Sequence, residues 1–324
     1  MREINRREFV KSLVALGATT LGAGGLLAQA ACGPGPGPEE AGGLARKPSS
    51  GPAADQAYLA VARGGSPAEI TQQAIAALGG IERFVHSGDD VIIKPNICVA
   101  YHTYEYAATT NPEVVATLVS LCLGAGAKKV RVMDYPFGGT ADAAYERSGI
   151  AQAVTAAGGQ MEQMAKMKYQ KVAIPDGRDL QEWPVYQDVL DADVFINVPI
   201  AKHHNLARLS LGMKNLLGVV TSRSRFHSNL GQRLADLTSL VYPTLTVVDA
   251  VRILVDHGPT GGSLEDVKQV NTVIASHDPV AADSYGATLF GLTGADIAYV
   301  KAAAEMGLGE MDLSSLKVEE IQVG

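Results

Sequence analysis

Between Asp193 and Asp236 run 42 residues without an Asp or Glu, where the chain's average composition would supply roughly four. The same stretch holds Lys202, Arg208, Lys214, Arg223, Arg225 and Arg233, together with His203, His204 and His227. Six cations with no acid between them, in a chain whose formal net charge is −7, form a local positive field of the kind that draws in carboxylate or phosphate. Arginine offers such anions a planar fork and lysine a mobile point charge. Two blander readings compete: a solvated helix face, and pairing with carboxylates from elsewhere in the fold. A solvated face mixes signs, whereas the run Leu209 to Gly218 is apolar around Lys214. A lysine in apolar surroundings has a depressed pKa, which suits a base or a Schiff-base amine, although the same residue also fits an ion pair. His203 or His204, beside Lys202, has the ordinary pKa for moving a proton near neutrality.

Other candidates stand where apolar runs end. Lys94 and Asn96 flank a proline that stiffens the turn after Asp90–Lys94, and Lys94 there is either capped by a carboxylate or in contact with a ligand. Asp249 ends Leu245–Asp249, and Asp283 follows His277-Asp278-Pro279; either is a candidate to orient a histidine. The glycines Gly261 and Gly262 of Gly258-Pro259-Thr260-Gly261-Gly262 would let backbone N–H groups approach an anion, or simply form a tight turn. Cys98 reads as a small buried hydrophobe before it reads as a nucleophile. The histidines show no close ligand spacing such as HExxH, so no metal is expected.

These residues need elements to position them. Asp90–Lys94, Lys129–Met133, Val194–Val198, Leu245–Asp249 and Val270–Ala275 read as strands, with an edge candidate at Val318–Val323. Helices open at Asn111-Pro112 and Asp278-Pro279, each a capping residue followed by proline, and are expected over Pro112–Leu123 and Pro279–Leu292. Continuous apolar strands alternating with helices predict an α/β fold, a mainly parallel sheet with helices on both faces in Rossmann-like layers. Ligands of such sheets bind at the carboxyl ends of the strands.

The whole chain has 324 residues, 47% of them hydrophobic, enough for a large buried core. Its 34 acids against 27 Lys and Arg argue against a nucleic-acid partner, which calls for a basic excess. Three cysteines, Cys32, Cys98 and Cys122, are too few and scattered for a disulfide framework or a Cys-ligated iron–sulfur cluster. At the amino end Arg6-Arg7-Glu8-Phe9-Val10-Lys11 precedes a mildly apolar stretch and resembles a twin-arginine export signal over residues 1–31, with the twin-arginine translocation machinery as partner and a periplasmic or envelope location. Ala28-Gln29-Ala30 fits a signal-peptidase cut, whereas Cys32 fits a lipid anchor, the expected membrane link; both remain open. Residues 32–56, rich in Gly and Pro, read as a tether, leaving 57–324 as the α/β domain.

Lys94-Pro95-Asn96, Thr110-Asn111-Pro112-Glu113, Asn197-Val198-Pro199-Ile200-Ala201-Lys202-His203-His204, Gly212-Met213-Lys214-Asn215-Leu216-Leu217-Gly218, Gly258-Pro259-Thr260-Gly261-Gly262 and Asp278-Pro279-Val280-Ala281-Ala282-Asp283 occur in one order. Together they resemble the DUF362 family, a group named for its unknown function. The resemblance covers nearly all of residues 85–295 and implies an α/β fold with site positions that include Asn215. Many relatives carry a cysteine-rich ferredoxin segment; no such appended domain is expected here, and the cofactor is left unknown.

The residues therefore point first to an exported enzyme-like protein. It would bind a small anion through Lys94, Asn96, Lys202, Asn215, Arg223, Arg225, His227, Gly261 and Gly262, with acid–base work by His203, His204, Lys214, Asp249 and Asp283. The alternatives are an exported solute-binding protein without turnover, and a redox protein holding an organic cofactor, for which no GxGxxG fingerprint is present.

Overall fold

A computed structural model describes Ala45, Arg46 and residues 58–324; the residues read as an export motif, Cys32, and all of the expected tether except Ala45 and Arg46 lie outside the described residues. Among the described residues twelve strands form in chain order: β1 (Leu59–Gly64), β2 (Asp90–Pro95), β3 (Lys129–Val132), β4 (Gln160–Met161), β5 (Tyr169–Ala173), β6 (Glu182–Tyr186), β7 (Val194–Val198), β8 (Ile200–His204), β9 (Arg208–Ser210), β10 (Leu245–Leu254), β11 (Val267–Ser276) and β12 (Val318–Val323). The helices are α1 (Pro67–Ala77), α2 (Pro112–Gly124), α3 (Ala141–Arg147), α4 (Ile150–Ala156), α5 (Gln187–Asp191), α6 (Gly212–Asn215), α7 (Leu230–Leu240), α8 (Pro279–Thr288) and α9 (Ala298–Glu305).

The central sheet has the order β12-β1-β11-β10-β7-β2-β3-β4. Every neighbouring pair in it is parallel except the two that β11 makes, with β1 and with β10. Side chains alternate across a strand, so each strand feeds two cores. Val91 and Ile93 of β2 face one core with Ile70 of α1, Val114 of α2 and Val154 of α4. Ile92, between them, faces the other with Val189 of α5, Leu234 of α7, Val280 of α8 and Val300 of α9. This double covering is the physical reason the strands are apolar throughout.

The helix starts follow their caps. Asn111 accepts from the Glu113 N–H at 2.9 Å ahead of Pro112, and Asp278 accepts from Val280 and Ala281 at 2.7 and 3.0 Å ahead of Pro279. The second helix stops at Thr288, short of Leu292, because Gly291 turns the chain through a left-handed φ of 69°. Residues 200–204, beyond the strand expected over Val194–Val198, form a further strand. After Pro199 the chain continues as β8, which pairs parallel with β10 and antiparallel with β9.

Candidate functional site

A cavity of about 360 Å³ opens where β2, β3 and the β7–β8 run reach their carboxyl ends. Its walls include Lys94, Asn96, Lys202, His204, Lys214, Asn215, Arg223 and His227, all named from the sequence, so residues as far apart as Lys94 and His227 meet in one place.

At its base Lys94, on β2, is fully excluded from solvent and its ammonium lies 2.8 Å from the Asp134 carboxylate. It also donates to the Pro95 carbonyl at 2.9 Å and to Asn215 Oδ1 at 3.0 Å. Burial pulls the Lys94 pKa down, Asp134 works against that, and Arg223 and Lys202 add to it. Asp134 in turn accepts from the Ile97 N–H at 2.6 Å. Gly218 makes room for the pair: a Cβ there would stand 2.1 Å from Asp134 Oδ1 and 2.4 Å from Lys94 Nζ. Asp134 was not singled out in the sequence. Its signal was the one that marked Lys94, an ionisable residue just after an apolar strand.

A hydrogen-bond chain ties this base to the next lysine. Asn96 Nδ2 donates to Asn215 Oδ1 at 2.9 Å, and Lys202 Nζ donates to Asn96 Oδ1 at 3.1 Å and to the Ala108 carbonyl at 2.6 Å. Asn215 Nδ2 donates to Asn197 Oδ1 at 2.9 Å, and Asn197 Nδ2 to the Gly212 carbonyl at 2.8 Å. Lys202 and Asn215 are thus held rigidly.

Lys214 differs from both. It lines the cavity and makes no hydrogen bond or ion pair among the described residues. Burial, reinforced by Lys202 and Arg223, lowers its pKa to about 8, while Cys98 pulls the other way.

His204 sits on the same side of β8 as Lys202, two residues away. Its Nδ1 accepts from the backbone N–H groups of Leu206 and Ala207 at 3.1 and 3.3 Å, so the ring proton resides on Nε2. Burial, then Lys214 and Lys202, lower its pKa to about 3. His204 is therefore a neutral N–H donor and not the base expected from its type. Arg223 lines the cavity with its guanidinium 4.6 Å from the Tyr135 ring centre and 2.6 Å from the Tyr135 carbonyl. His227 is exposed at the wall.

Six expected site residues lie elsewhere. His203 alternates to the other side of β8, where Nδ1 accepts from the Gly258 N–H at 3.1 Å. Arg225 stacks its guanidinium 5.2 Å from the Trp183 ring centre. Asp249 is buried and accepts from the Asn111 and Val251 N–H groups at 2.7 and 2.9 Å, with burial raising its pKa to about 6. Asp283 accepts from Gly212 and Met213 at 2.6 and 2.9 Å, with burial raising its pKa to about 7. It anchors the start of α6 and so positions Lys214 and Asn215 without reaching the cavity. Gly261 and Gly262 are also outside; Pro259 is the member of that loop in the wall. Two further cations of the acid-free stretch are paired across the fold, Arg208 with Asp296 at 3.5 Å and Arg233 with Asp179 at 2.8 Å. Among the described residues no group of three or more His, Cys, Asp or Glu assembles into a metal site, and no helix is long and apolar enough to cross a membrane.

The sequence matches DUF362, a domain of unknown function, over residues 91–288. This chain belongs to the DUF362 family. Every cavity-lining residue, from Lys94 to Pro259, falls within the DUF362 segment. The chain is similar, at 28% identity over 240 residues, to a thylakoid-associated protein of Synechocystis sp., covering 71% of this chain and 72% of that one. Among solved structures it is similar to the lactate racemase apoprotein of Thermoanaerobacterium thermosaccharolyticum, with 12% identity and a TM-score of 0.47 over 70% of this chain and 55% of the other. It is also similar to a Thermotoga maritima protein, with 12% identity and a TM-score of 0.42 over 75% and 60% of the two chains.

Proposed function

We propose that this DUF362 protein is an exported, enzyme-like protein that binds a small carboxylate or phosphate in the Lys214 cavity and moves a proton there. The observation that carries this reading is the Lys214 amine itself: it lines the cavity and lacks a partner among the described residues, while the neighbouring Lys94 is paired and Lys202 hydrogen-bonded. A charged amine held half-buried without a counterion in a largely apolar cavity is costly, and an anionic ligand removes that cost.

In this account the anion lies against Lys214 and Arg223, with Lys202 supplying field from behind. The neutral His204 offers its Nε2–H to an oxygen that gains negative charge, which needs a donor that keeps its proton. Lys214 exchanges the proton, its pKa of about 8 lying close enough to neutrality for both forms to be present. Export rests on Arg6-Arg7 and Phe9, and the tether with Cys32 supports attachment to an envelope membrane. The Synechocystis relative is named for association with thylakoids, which is in keeping with a membrane-side location.

The test is a thermal-shift screen of carboxylate and phosphate metabolites, followed by proton NMR of each stabilising compound in deuterated water. Protein-dependent exchange of a carbon-bound proton beside a carbonyl or carboxylate supports the enzyme reading. Binding without exchange or turnover leaves a solute-binding protein, and absorbance of natively purified protein above 300 nm, a wavelength chosen as roughly clear of aromatic side chains, would favour a bound organic cofactor.

A further inference from the structure

Six large hydrophobic side chains stand exposed among the described residues, and three of them, Tyr135, Phe137 and Leu206, line this one cavity. Phe137 is 71% exposed and Leu206 63%. They come from separate segments, Tyr135 and Phe137 from the loop after β3 and Leu206 from the turn between β8 and β9. A fourth, Tyr101, lies against Gly138, the residue after Phe137, where a Cβ would stand 3.3 Å from its ring. Scattered exposed apolar residues are ordinary, but the convergence of Tyr135, Phe137 and Leu206 from two segments on one opening marks a binding surface. Deeper in, Ile97, Leu217 and Pro259 continue the apolar wall. Arg223 joins the two zones, its guanidinium lying over the Tyr135 ring while it lines the cavity.

The supply of free charge narrows the ligand further. Lys94 is already neutralised by Asp134, and Lys202 donates to Asn96 and the Ala108 carbonyl. Lys214 has no partner among the described residues, and Arg223, whose Nη2 donates to the Tyr135 carbonyl, keeps Nη1 without one; these two can meet the anion directly, a match for one carboxylate rather than for a cluster of phosphates.

We infer that the ligand is an amphiphilic monocarboxylate, its head on Lys214 and Arg223 and an apolar chain or ring running out between Phe137, Tyr135 and Leu206. This rests on the anion-binding reading above and adds the apolar half of the ligand. The head alone would leave the rim without a purpose, and an uncharged apolar molecule would leave the amine without a counterion.

Calorimetric titration of the folded protein with propionate, hexanoate, octanoate and octanol tests it. Affinity is expected to rise roughly threefold to fourfold for each methylene that enters the rim, with octanol binding far more weakly than octanoate. Phe137→Ser with Leu206→Ser, both exposed and so harmless to folding, is expected to weaken octanoate at least about tenfold and to leave propionate unchanged. Octanoate binding no tighter than propionate would overturn the apolar half while the anion reading stands. Equal octanoate affinity in wild type and the double variant would overturn the rim assignment. If no carboxylate binds while inorganic phosphate, titrated alongside, does, this inference falls and the anion reading stands; if neither binds, both fail.

Discussion

The Lys94 ammonium and the Asp134 carboxylate lie 2.8 Å apart with both side chains shut away from water, directly beneath the backbone of Gly218. Each partner comes from the end of a neighbouring parallel strand, and each satisfies the other's charge where water cannot. The pair therefore builds the floor of the cavity, and its neutrality leaves Lys214 as the cavity-lining lysine or arginine with no hydrogen-bond or ion-pair partner among the described residues.

Lys94→Met should leave Asp134 buried and uncompensated, destabilising the fold by about 3–5 kcal/mol. Adding Asp134→Asn should recover a large part of that loss, because an amide tolerates burial better than an unpaired carboxylate. Urea unfolding of the single and double variants measures both, and additive losses would show that the two residues do not act as a pair.

His204→Asn separates the two jobs of the ring. The Asn Oδ1 can accept from Leu206 and Ala207 in place of Nδ1, so stability should change by less than about 1 kcal/mol. The Nε2–H donor is lost, so ligand affinity or turnover should fall about tenfold or more. The pKa of about 3 lies below the ordinary 6.5, so the unfolded chain takes up the proton first and the ring's contribution to stability declines as pH falls through that window. A carbon-detected NMR titration that finds the ring half-protonated near pH 6.5 in the folded protein would refute its role as a neutral donor.

The local parts of this architecture were legible in the sequence. Apolar runs such as Val194–Val198 became strands because both faces of the sheet are covered, and Asn111-Pro112 and Asp278-Pro279 start helices by satisfying their own end groups. What depends on distant partners was not legible. An acid-free stretch says nothing of Asp179 and Asp296, which neutralise Arg233 and Arg208 from elsewhere in the chain. Asp249 and Asp283 have the residue type of catalytic acids, yet their oxygens are occupied by backbone N–H groups that no spacing rule reveals. His203 and His204 were equivalent until β8 gave them opposite sides of a strand.

The proposed export makes a prediction independent of the cavity. Replacing Arg6 and Arg7 together by lysine should hold the protein in the cytoplasm, because the paired arginines are what that signal offers its machinery. Fractionation of cells expressing the double variant measures this, and wild-type levels outside the inner membrane would refute the signal. Labelling with a radioactive fatty acid reports on Cys32 in the same cells, and absence of label removes it as an anchor.

The most direct measurement concerns Lys214, replaced by Met to keep the apolar stem and delete the charge. Thermal unfolding of wild type and Lys214→Met would be compared with and without inorganic phosphate, succinate and octanoate. The account predicts a ligand-free midpoint that is unchanged or higher, by on the order of 1–2 kcal/mol, because the folded state holds this ammonium against its solvation preference. It also predicts that the ligand-induced rise seen in wild type disappears in the variant. In wild type that rise should weaken as pH passes upward through about 8, where the amine loses its charge. A ligand-free midpoint that drops by the equivalent of about 3–5 kcal/mol, as when a buried ion pair is broken, or a ligand shift that survives in Lys214→Met, would contradict it.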